Sequence, residues 1–213
     1  MKTQIVPYVM DLQSIPLAPE EGVPEISLIS AEDGFFLNTK RSDDFRIRTP
    51  IYDMMKTAQK NLPIGFSFMI YEAYRTMQKQ VTLWNNTNKQ MKDLYPDMDD
   101  KTFMQMCENF TANPHDGIGS GHQAACAIDI TLCTTSGDEL PMGTLMHEKS
   151  ELTKTFATGL SEEHLKNRRL LKESLEKAGF INYPAEWWHF SYGDHQWAFL
   201  ASEKQAFFGP IDI

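Results

Sequence analysis

Two short polar clusters stand out in otherwise ordinary globular sequence. Ser120-Gly121-His122 is followed, seven positions after the histidine, by Asp129. Further along comes Glu186-Trp187-Trp188-His189. A catalytic zinc needs three neutral or anionic protein ligands and a fourth position left open for water. His122, Asp129 and His189 meet that count. Zinc lowers the pKa of bound water from 15.7 to about 7, so hydroxide becomes available at neutral pH. Glu186, three residues before His189, is placed to take that water's proton without ligating the metal. Arg75, closing Tyr71-Glu72-Ala73-Tyr74-Arg75, is the candidate for stabilising the oxyanion of a tetrahedral intermediate.

Each of these residues alone is weak evidence. A histidine within a Trp-rich strand is more often a hydrogen-bonded core residue, and an arginine after a strand more often pairs on the surface. The coincidence matters: all the required groups fall at strand edges and loops, where sites are built. Residues 111–121 carry Asn-Pro, Asp-Gly and Gly-Ser-Gly and read as a loop ending at His122. Ala127 to Leu132 reads as a strand with Asp129 inside it, followed by a turn at Ser136-Gly137-Asp138. Phe180 to Tyr192 reads as strand interrupted at Pro184, and it carries Glu186 and His189. Arg75 follows the aromatic, alternating strand Ile64 to Tyr71.

The remaining elements frame these. Pro50 to Asn61 reads as a short helix. Thr76 begins a second helix that fades in the Asn-rich stretch 85–88. A third runs from near Asp99 to Phe110, with acids in its first turn. Ser161 is the N-cap of a long helix whose Leu171, Leu175 and Ala178 share a face, with Gly179 as its C-cap. Helices and short strands mix without a βαβ rhythm, which predicts an α+β fold: a central antiparallel sheet with helices packed on it. One domain over 1–213 is expected, with 1–25 as an extended N-terminal arm that is rich in proline and acid over 11–25.

A chain of 213 residues with 41% hydrophobic and 23% charged residues can bury a sizeable core. The net charge of -9, without any Lys/Arg stripe, speaks against nucleic acid or an anionic membrane as partner. Cys107, Cys126 and Cys133 are odd in number and lack CxxC spacing, so they read as buried free thiols. The N-terminal apolar patch is broken by Pro7 and closed by Asp11, too short for a signal segment. Cytoplasmic residence is expected, or periplasmic if a leader precedes this numbering. The sequence does not show the oligomeric state.

Ser120-Gly-His122-Gln-Ala-Ala-Cys-Ala127-Ile-Asp129 resembles the SxHxxGxAxD motif of zinc D-alanyl-D-alanine peptidases, and Glu186-Trp-Trp-His189 resembles their ExWH motif. Tyr74-Arg75, Leu140-Pro-Met-Gly-Thr144, and Arg168-Arg-Leu-Leu171 followed by Gly179-Phe180 are similar to the D-alanyl-D-alanine dipeptidases of the vancomycin-resistance type. The resemblance runs from about Glu72 to Phe199. It implies the compact fold that zinc D,D-peptidases share with the hedgehog signalling domain. It implies one zinc ion on His122, Asp129 and His189, Glu186 as general base and acid, Arg75 at the oxyanion, and Ser120 near a small D-amino-acid peptide. Ala125 stands in place of the motif glycine, Thr76 in place of a proline, and Glu72 in place of an aspartate. After Met142-Gly143, His147 occupies the place of an aspartate that pairs with the substrate's amino group. Three functions stay open: a D-alanyl-D-alanine dipeptidase, a D,D- or L,D-carboxypeptidase on longer peptidoglycan stem peptides, and a zinc-bearing binding module without catalysis.

Overall fold

The computed structural model describes residues 6–7, 9–148 and 150–213; the first five residues of the expected arm, and its eighth, lie outside the described residues. A five-stranded sheet forms the centre, in the order β2 (Phe36–Leu37), β4 (Phe66–Glu72), β5 (Ala127–Thr134), β7 (His189–Ser191), β6 (Ile181–Asn182). The pairings β4–β5, β5–β7 and β6–β7 are antiparallel, and only the two-residue β2 joins in parallel. A separate ribbon pairs β1 (Ile26–Leu28) with β3 (Arg46–Arg48). The fold is therefore α+β around a mainly antiparallel sheet. Strand β5 is the middle of the sheet and is buried from Ala127 to Cys133, which explains its near-continuous apolar run.

Helix α2 (Thr49–Lys60) starts with Pro50 in its first turn, where the missing N–H is not needed. It buries Ile51, Tyr52, Met55 and Ala58. Helix α5 (Glu162–Glu176) opens on Ser161, whose side chain accepts the His164 N–H, as the sequence suggests. Its C-cap is Lys177, and Gly179 adopts φ +104° two positions later, not at the cap itself. Helices α2 and α5 pack together, and α5 covers β5 and β6.

Helix α3 (Met77–Leu94) does not fade at the asparagines. Trp84, Thr87 and Met91 recur at helical spacing and are buried; Trp84 and Met91 form a small second core with Cys107 of α4 (Asp100–Glu108), and Thr87 bonds Thr111. Tertiary burial here overrides weak local propensity. Helix α6 (His195–Ala201), capped by Asp194, was not anticipated; it packs on α1 (Val9–Gln13) and β6. After α1, the chain bridges Leu17 to Ala206, and Glu20 pairs with the buried Arg48. Cys107, Cys126 and Cys133 are buried and are in no disulfide among the described residues. Among the described residues no helix is long and apolar enough to cross a membrane.

Candidate metal centre

Sheet register builds the centre. Glu72 of β4 is opposite Asp129 of β5, and Asp129 is opposite His189 of β7. Directly opposed residues in an antiparallel ladder share a face. Three strands thus present Glu72, Asp129 and His189 side by side, with a register shift between Ile70 and Glu72 where β4 leaves the ladder.

His122 reaches this row from a tight turn before β5. The Arg75 N–H donates to the His122 carbonyl at 3.1 Å, so the turn is sewn to the exit of β4. Within it Cys126 and Ala127 donate to the Gly121 carbonyl. A Cβ on Gly121 would lie 2.1 Å from Asp194 Oδ2 and 2.8 Å from the Ala127 Cβ, so this position accepts only glycine. Ala125, at the motif's glycine position, takes φ +52°, the left-handed region that glycine occupies without strain.

The metal-ligating atoms of His122, Asp129 and His189 lie within 4.8 Å of one another, and all three residues are buried. Asp129 Oδ1 is 3.0 Å from His189 Nδ1 and 3.3 Å from His122 Nε2. His122 Nδ1 donates to the Ala73 carbonyl at 2.7 Å, which puts its proton there and leaves Nε2 for a cation. Burial opposes ionisation of Asp129, but His122, His189 and His147 around it hold its carboxyl well below the usual carboxylate range. Two imidazoles and one anionic carboxylate, buried and convergent, fit a divalent zinc ion.

Arg75 and Glu186 line the same cleft. The Arg75 Nε and an Nη donate to the two Glu72 oxygens at 2.9 and 2.6 Å, and its other Nη donates to Gln80 Oε1 at 3.0 Å. Burial disfavours the guanidinium charge and Glu72 more than restores it. Of an arginine's five N–H donors, these bonds use three and leave two. Burial pushes the Glu186 carboxyl up to about 7, with His189 and Arg75 pulling it down and Asp129 pushing it up. That is the range a general base needs at neutral pH. Its turn is held by the buried Asn182, whose Nδ2 donates to the carbonyls of Glu186 and His189, both at 3.0 Å.

Ser120 sits at the cleft with its hydroxyl donating to Gln80 Oε1 at 3.3 Å. Gln80, fully buried, thus ties Arg75 to Ser120, and its Nε2 donates to the Ala112 carbonyl at 2.6 Å. Neither Gln80 nor Asn182 is conspicuous in the sequence. Only the position of Gln80, one turn into the helix after Arg75, was a signal. His147 lies 3.5 Å by Nε2 from Asp129 Oδ2, and its ring is 5.4 Å from that of Trp188. Its loop is pinned by the buried Arg168 of α5, which donates to the carbonyls of Met142, Leu152 and Lys154 at 2.7, 2.9 and 2.7 Å. All seven residues singled out from the sequence therefore line one cleft.

Residues 46–207, more than half of the chain, match the D-ala-D-ala dipeptidase family of peptidases. The chain belongs to that family. The D-alanyl-D-alanine dipeptidase of Escherichia coli (strain K12) is 28% identical over 147 residues, 68% of this chain and 66% of its relative. That of Enterococcus faecium is 29% identical over 145 residues, 64% of this chain and 67% of its relative. The aligned stretch spans about two thirds of these curated relatives. The solved structure of VanYB in complex with D-Alanine-D-Alanine aligns with TM-score 0.47 at 16% identity, covering 91% of this chain and 94% of that one. Of the motif residues quoted from the sequence, Arg75, Ser120, His122, Asp129, Glu186 and His189 meet at this cleft.

Proposed function

We propose that this protein is a zinc-dependent peptidase that hydrolyses the D-alanyl-D-alanine peptide bond. One observation carries the reading: a buried His122–Asp129–His189 set shares a cleft with a base poised near neutrality and an anchored guanidinium. His122, Asp129 and His189 would hold one zinc ion. When bound, it supplies a Lewis acid that makes water acidic enough to attack at neutral pH. Glu186 takes a proton from the attacking water at its carboxylate and returns it to the leaving nitrogen. The C–N bond breaks, the water's oxygen stays on the carbonyl carbon, and D-alanine leaves with a free amine. The two spare N–H donors of Arg75 face the carbonyl oxygen as it gathers charge. Glu72 and Gln80 fix that guanidinium beforehand, so little reorganisation is left for the reaction itself. Ser120 contacts the substrate beside them.

A silent zinc-binding module would need neither a raised carboxyl nor an anchored arginine at the metal, and both support the enzyme reading. We take 1–213 as one peptidase domain with 1–25 as its arm, which Leu17 ties to Ala206 near the C-terminus. We place it in the cytoplasm, an assignment that three buried cysteines outside any disulfide support. The test is release of D-alanine by the zinc-loaded protein. Glu186→Ala should abolish turnover and keep the zinc. Absence of release by the wild type from free and acylated D,D-peptides alike would refute the proposal.

A further inference from the structure

His147 is a cleft residue for which hydrolysis itself has no use. Its backbone is held at φ +61°, left-handed for a residue with a side chain, and its side chain remains 41% exposed. It faces the cleft between Trp188 and Asp129 Oδ2. An imidazole in either protonation state offers an N–H and supplies no negative charge. Arg41 lines the same cleft, is exposed, and has no salt-bridged carboxylate among the described residues.

The carboxylates of the centre are already committed. Glu72 is bidentate to Arg75, Asp129 is the metal ligand, and Glu186 is the base. Glu148, next to His147, turns back so that Oε2 accepts the Leu145 N–H at 3.1 Å. A free ammonium entering here would lose water and meet His147 and Arg41 without a counter-charge, which is costly. A carbonyl oxygen would find donors. The cleft is also large, about 830 Å³, and continues from the ligands along α3 to the end of α4 and residues 109–112 after it. A dipeptide fills only a small part of such a volume.

We propose that the His147 subsite takes the acylated amino end of a longer peptide, so that the preferred substrate is an N-acylated D-alanyl-D-alanine. This rests on the peptidase reading above. The experiment compares kcat/KM of the zinc-loaded protein on D-alanyl-D-alanine and on N-acetyl-D-alanyl-D-alanine. Wild type should favour the acylated substrate by about tenfold or more, and His147→Asp should shift the ratio about tenfold toward the free dipeptide with unchanged zinc content. The wild-type ratio decides the matter even if the Asp variant loses metal. A wild type that favours the free dipeptide overturns the proposal, and loss of that preference in Glu148→Gln would name Glu148 as the counter-charge. Hydrolysis of neither substrate would instead refute the peptidase reading.

Discussion

Replacing Glu186 by Gln should make the metal-free protein more stable at alkaline pH while destroying its activity. The folded protein holds this carboxyl at about 7 against an ordinary value of 4.5, chiefly through burial. At about 1.36 kcal/mol per pH unit the rise corresponds to about 3 kcal/mol. Between those two values the folded state binds more protons than the unfolded chain, so stability falls as pH rises through the interval and is level above it. A neutral amide at this position would carry no such cost. Working the linkage through, the stability advantage of Glu186→Gln should be about 2.5 kcal/mol greater at pH 8 than at pH 5. With an m-value of about 2 kcal/mol per M urea, that is a relative shift of about 1 M in midpoint. The assay is urea unfolding of both proteins under chelation at the two pH values, with D-alanine release measured on zinc-loaded samples. A Gln variant whose advantage is the same at both pH values would refute the reasoning, because the carboxyl would then ionise as freely in the fold as outside it.

Removing zinc with a chelator should abolish hydrolysis and lower the melting temperature. At free zinc 1,000-fold above its Kd the bound ion adds about 4 kcal/mol, readable by calorimetry with and without metal. Gly121→Ala should destabilise the fold by about 3 kcal/mol or more. Its Cβ would meet Asp194 Oδ2, and that carboxylate is fixed by the Ser191 hydroxyl and the Trp197 N–H; urea unfolding measures the loss. Glu72→Gln should cost about 3 kcal/mol by leaving the guanidinium of Arg75 without its charge partner, and it should lower kcat more than it raises KM. Unchanged kcat would mean that Arg75 does not need Glu72 to hold its place.

The residues that meet at the cleft were legible in the sequence because each lies in a short local pattern: a Gly-rich loop before a strand, a carboxylate three residues from a histidine, an arginine at a strand's end. Helix α2 to within a residue at each end and the starts of β5 and α5 were legible for the same reason, since Pro50, the Ala127–Leu132 run and the Ser161 cap act within a few residues; β5 itself runs on to Thr134. Helix α3 continues past the Asn-rich stretch where the sequence suggests fading, because Trp84 and Met91 pack against Cys107 of a partner helix and Thr87 bonds Thr111. The links of Gln80 to Ser120 and Ala112, of Asn182 to Thr155 and of Arg168 to Met142 were invisible, because they join residues distant along the chain. The sequence determined which chemical groups are available. The tertiary structure alone decided that Glu72, Asp129 and His189 stand in one row, because cross-strand register is set by backbone ladders between segments far apart in sequence. It likewise decided that the His147 imidazole stands 3.5 Å from Asp129, because the loop that carries it is held by Arg168 from another part of the chain.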